Sequence, residues 1–127
     1  MEANHIIKTL AILFAFAICG VSSLWAETIV SVPQPGILSS QLTTMDKNVK
    51  INGPINGTDI KYLRQLVAAG NLQSIDLSEA TIVRGGDAYY ETYTTSDDDM
   101  GAYSFYNHRG LVSLTLPQTI TSIGSNA

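Results

Sequence analysis

Three groups of residues in this 127-residue chain have the types and spacing to do chemistry. Asp97-x-Asp99-x-Gly101 sets carboxylates at alternate positions, as a loop wrapping a hard divalent cation begins. The pattern then fails, because Ala102 stands where such a loop turns on glycine and His108 where a bidentate glutamate closes it. Asp87 and Glu91 have the types of a glycosidase pair, but that chemistry needs a fixed separation between the carboxyls, and nothing in the surrounding Gly, Thr, Ser and Asp residues fixes one. They read as solubilising charges. His108 is the one histidine outside the first few residues, with no cysteine near it and no Gly-x-Ser-x-Gly, so a Ser-His-Asp site would have to rest on a single loop histidine. The chain is therefore expected not to be an enzyme, with no catalytic residue, no metal and no cofactor. Tyr89, Tyr90 and Tyr93 are different. Tyrosine supplies broad amphipathic contact at low entropic cost, so the three are candidate binding residues, against the plainer reading that they cover an edge of the fold.

The elements that must hold these residues show in the apolar spacing. Leu72-x-x-Ile75-x-Leu77 recurs as Leu111-x-x-Leu114-x-Leu116, with Val49-x-Ile51 as an incomplete earlier copy. Alternation of this kind marks short strands with apolar residues inward and the intervening positions outward. Gln73, Ser74 and Asp76, with Val112, Ser113 and Thr115, are then expected to form adjacent rows of a presented face. Met100-Gly101 and Ile123-Gly124 repeat at a spacing that falls within the ~20–29 residues of a leucine-rich repeat. The predicted fold class is α+β: an amino-terminal cap with one helix, followed by the first coils of a leucine-rich-repeat solenoid. The three apolar runs are expected to be neighbouring strands in the order 49, 75, 114.

The predicted organisation is a signal peptide over 1–26, a linker or edge segment over 27–45, and a capping region over 46–83. A tyrosine- and aspartate-rich insertion loop over 84–99 and a truncated repeat over 100–127 follow. The helix is placed at 58–69, with Thr58 as its cap, Gly70 as its stop and Ile60, Leu63, Leu66 and Val67 as its apolar stripe. The leader has a short polar start, an apolar run from Leu10 to Ile18 and a cleavage point after Ala26. A retained anchor, or lipid on Cys19, is the alternative. A net charge of -4 argues against nucleic acid as a partner, and removal of the leader leaves nothing to insert in a membrane. Because the repeat register stops mid-coil at Ala127, the chain is expected to be the amino-terminal part of a longer protein, or a truncated gene product.

Met100-Gly101-x-x-Ser104-Phe105, then Leu111-x-x-Leu114-x-Leu116-Pro117, then Ile123-Gly124 resembles the repeat of the BspA-like leucine-rich-repeat surface proteins of bacteria. The segment from Asn52 to Arg64, with Ile75-Asp-Leu-Ser-Glu-Ala80 and Gly85-Gly86, is similar to the opening of many of them. The resemblance implies export, cell-surface display and non-catalytic binding or adhesion, with an extracellular protein or glycan as partner. It implies no catalytic residues. Two other roles are open: a purely structural cap for a longer array, and an exported glycan-processing enzyme whose catalytic part lies beyond residue 127.

Overall fold

A computed structural model describes residues 27–43 and 46–127. The leader, its cleavage point and Cys19 therefore lie outside the described residues. The chain runs β1 (Thr28–Ser31), α1 (Leu38–Gln41), β2 (Asn48–Ile55), α2 (Gly57–Ala68), β3 (Ser74–Ile82), β4 (Gly85–Tyr90), β5 (Tyr93–Thr95), β6 (Asp99–Met100), β7 (Ser113–Thr115) and β8 (Ser122–Ile123). Four strands make one parallel sheet in the order β1-β2-β3-β7. Val49 lies beside Ile75, and Ile75 beside Leu114, so the three alternating runs are neighbours in the order their spacing predicts.

The expected fold class is nevertheless overturned. The described residues are mostly strands, in both parallel and antiparallel sheets, with two short helices; they are not a one-helix cap leading into a leucine-rich-repeat solenoid. The physical reasons lie in three places. β2 and β3 are eight and nine residues long and carry a register shift between Lys50 and Asn52, so they are not the short uniform strands that a repeat would stack. Residues 84–99, expected as a loop, pair with each other instead: Gly85 with Thr95 and Tyr90 with Tyr93, as the antiparallel strands β4 and β5. β6 then pairs with β8 in a third, two-stranded sheet.

The core lies between the large sheet and α2. Val49, Ile51, Ile75 and Leu77 point in from the strands, and Ile60, Leu63 and Val67 meet them from the helix. Residues 27–43, expected as a linker or edge segment, supply the edge strand β1 and bury Val30, Val32, Leu38 and Leu42 in the core. The helix starts one residue before the predicted position because Asn56, not Thr58, caps it. Asn56 Oδ1 accepts from the Thr58 amide at 3.0 Å, and Asp59 Oδ2 accepts from the Asn56 amide at 2.9 Å. That reciprocal box leaves fewer free donors in the first turn. Gly57 is obligatory here, because a Cβ on it would run into the Asp87 carbonyl of β4.

Candidate functional site

The polar outer side of α2 meets the β4–β5 hairpin and the 101–110 loop, and four tyrosines converge there. Tyr90 comes from the end of β4, Tyr93 from the start of β5, and Tyr103 and Tyr106 from the loop. Tyr90 stacks on Tyr103 with centroids 5.3 Å apart, and Tyr93 lies 5.0 Å from Tyr103. Tyr106 meets both Tyr90 and Tyr103 edge-on, at 5.8 and 5.1 Å. These are the separations at which aromatic pairs gain about 0.5–1.5 kcal/mol beyond the area they bury.

Arg64 locks the cluster to the helix. Its guanidinium lies 5.0 Å from the centre of the Tyr90 ring, and its Nη1 donates to the carbonyls of Tyr103 and Ser104 at 2.8 and 2.9 Å. The loop is tied down at further points. The Ser104 hydroxyl donates to the Gly101 carbonyl at 2.6 Å, and the Tyr103 and Phe105 amides donate to the carbonyls of Ser125 and Ala127. These bonds sustain the left-handed backbone of Tyr103 (φ 61°) and Asn107 (φ 59°), a conformation that side-chain-bearing residues enter at a cost. Burial lowers the Arg64 pKa, and the phenols of Tyr90 and Tyr89 push it the other way. A guanidinium remains cationic at neutral pH. Desolvation, then the nearby Glu91, raises the Tyr90 phenol.

Beside the cluster is a cleft of about 600 Å3, between the last turns of α2 and residues 106–110. Arg64, Tyr90, Tyr106, Asn107, His108 and Arg109 supply most of its polar wall. His108 Nδ1 sits 2.8 Å from the Tyr106 carbonyl. A carbonyl can only accept, so that nitrogen carries the proton.

The expected binding residues divide. Tyr90 and Tyr93 belong to the cluster, but Tyr89 is corrected to a core residue: it is 4% exposed and donates its hydroxyl to the Ala102 carbonyl at 2.6 Å. In a strand, adjacent side chains face opposite sides, and β4 turns Tyr89 inward and Tyr90 outward. Gln73, Ser74 and Asp76 lie on or just before β3, with Val112, Ser113 and Thr115 on or just before β7; Ser74 pairs with Ser113 and Asp76 with Thr115. Asp76 is engaged locally. Its carboxylate accepts from the Ser78 amide at 2.9 Å, and bonds from Ser78 hold its pKa below the ordinary value.

Arg64, Tyr103, Tyr106 and Arg109 are absent from the sequence-based expectation. The spacing of Tyr103 and Tyr106, one turn apart and flanked by Arg109, was the available signal. The aspartates of the cation-like motif are occupied elsewhere. Asp97 accepts from the Arg84 amide and lies 3.7 Å from its side chain, while Asp99 accepts from the Ser122 hydroxyl at 2.6 Å. Asp87 and Glu91 are exposed on the hairpin. No protein-family model matches the chain, and no curated protein is detectably similar to it.

Proposed function

We propose that this chain is a non-catalytic binding module, exported and displayed at the cell surface, that engages an extracellular protein or glycan through the tyrosine surface around Arg64. The observation that carries this reading is the assembly of four tyrosines from two separate stretches of chain, held by one arginine whose bonds run to the backbone. Rings already packed together lose little freedom when a ligand arrives, and tyrosine with arginine is the pairing enriched where binding energy concentrates. The resemblance of residues 100–124 to BspA-like surface proteins supports export and display. Sequencing of exported material is then expected to begin at Glu27, and a chain that still starts at Met1 would overturn the leader.

Binding is tested with immobilised matrix proteins and a panel of purified glycans. Tyr93 and Tyr106 are the accessible rings, 37% and 42% exposed, so the double variant Tyr93→Ala/Tyr106→Ala should lower the unfolding midpoint through the lost ring contacts while the buried core keeps the chain folded. It is expected to weaken binding at least ~10-fold, the loss typical of truncating aromatic anchors. Undiminished binding by the double variant would remove the tyrosine surface as the site.

A further inference from the structure

The cleft between α2 and residues 106–110 has a charge opposite to that of the whole molecule. The chain carries a net charge of -4, yet Arg64 and Arg109 line the cleft and no carboxylate does. Arg64 spends Nη1 on backbone carbonyls, leaving Nε and Nη2 without a hydrogen-bond acceptor among the described residues. Arg109 makes no ion pair among the described residues and is exposed. Two guanidiniums with donors to spare, in a concave site, suit a carboxylate, because the planar fork binds its two oxygens side by side.

The rest of the wall indicates what carries that carboxylate. Of the aliphatic lining, Val67 is 3% exposed and Ala68 offers a single methyl, so the cleft has no large aliphatic side chain to anchor an apolar partner. Beside them stand tyrosine rings, the Asn107 amide and the imidazole. Gly70 adds an open flank, where even an added Cβ would meet nothing within 4 Å. A pyranose has the matching features: C–H bonds for an aromatic ring, hydroxyls for an amide and imidazole, and bulk that fits a cleft of about 600 Å3.

Resting on the reading of this chain as a binding module, we propose that the cleft is a subsite for a sugar residue bearing a carboxylate, held by Arg109 and the free edge of Arg64 with its ring against Tyr106. Uronates and sialates share this chemistry, and separate probes distinguish them. The full chain, labelled with nitrogen-15, is titrated with tetragalacturonate and with sialyllactose, each beside its neutral counterpart, galactotetraose or lactose, and with hexaglutamate as an acidic peptide.

At least one acidic saccharide is expected to saturate within about 10 mM, the range of single-subsite affinity, and to shift the amides of His108, Arg109 and Gly110. Its neutral counterpart should bind about tenfold more weakly, and Arg109→Ala should bring the acidic sugar down to that level, with Arg109→Lys between. Arg109 is exposed and forms no part of the core, so these variants stay folded, which the unchanged remainder of the spectrum verifies. Equal affinity for neutral and acidic sugars overturns the proposal, as does indifference to Arg109→Ala. Hexaglutamate binding at the cleft more tightly than either sugar assigns it to acidic peptides instead. No saccharide binding at all also refutes it, while the binding-module reading is judged separately by the tyrosine double variant against matrix proteins and glycans.

Discussion

Asp59 is a carboxylate with 1% exposure, and its two oxygens accept from three amides: Gly36 at 2.7 Å, Leu38 at 3.0 Å and Asn56 at 2.9 Å. One side chain thereby closes the cap of α2 and pins the turn before α1. Substituting Asp59→Ala orphans two buried donors and one partly buried donor, so a loss of about 3 kcal/mol in urea unfolding is expected, with the m-value unchanged. Tyr89 gives a second test, with a sign set by its environment. Burial, the largest influence, raises its phenol above the ordinary value. A phenol raised in the folded state stabilises fully below its unfolded pKa of about 10, and that stability is lost as pH climbs through the folded value. Wild-type stability should therefore fall above pH ~10, and Tyr89→Phe should flatten that fall while costing about 1 kcal/mol at neutral pH for the bond to Ala102. A steeper alkaline fall in the variant would contradict this. In a loop the three neighbouring tyrosines of the hairpin would be equivalent. Read as a strand, the period of two separates Tyr89 from Tyr90 at once.

The elements differ widely in how firmly they are held. β2 and β3 run side by side at the centre of the large sheet, with Val49, Ile51, Ile75 and Leu77 all at 1% exposure or less. β7 pairs over three residues at the edge, beside Val112 at 76% exposure, and Ile123 of β8 is 62% exposed. Amide exchange should therefore be slowest in β2 and β3 and fastest in β7 and β8, since local opening follows buried contacts. Protection in β7 equal to that in β3 would show that pairing alone, without burial, secures this sheet. Much of this sheet was legible: alternation at Val49, Ile75 and Leu114 marked three strands and their order, and the stripe from Ile60 to Val67 marked the helix. Its start differs by one residue because Thr58 is also a good cap, while the reciprocal pair Asn56 and Asp59 closes the box that the chain uses. The hairpin escaped for another reason: the pairing of Gly85 with Thr95 leaves no apolar period in the chain, whereas Met100 and Ile123, which do recur in the sequence, pair as β6 and β8.

On the scale of the whole molecule, the tyrosine surface exists only where α2, the hairpin and the 101–110 loop come together, and Arg64 is the piece shared by all three. Arg64→Lys keeps the charge but cannot span two carbonyls with one planar group while covering Tyr90. It is expected to cost about 1–2 kcal/mol and to raise amide exchange across residues 103–106, and unaltered exchange there would show that the loop holds itself. That junction also has an optical signature. Four of the six tyrosines lie within ring–ring distances of 5.0 to 6.3 Å, and the single tryptophan, Trp25, is far from them in sequence. Aromatic chromophores so near one another, in a fixed chiral arrangement, couple their transitions, so the near-ultraviolet circular dichroism of this chain should be dominated by the junction. The molecule thus carries its own label: ellipticity near the tyrosine band reports whether three separate pieces of chain are docked, while the far-ultraviolet signal reports only that they are folded.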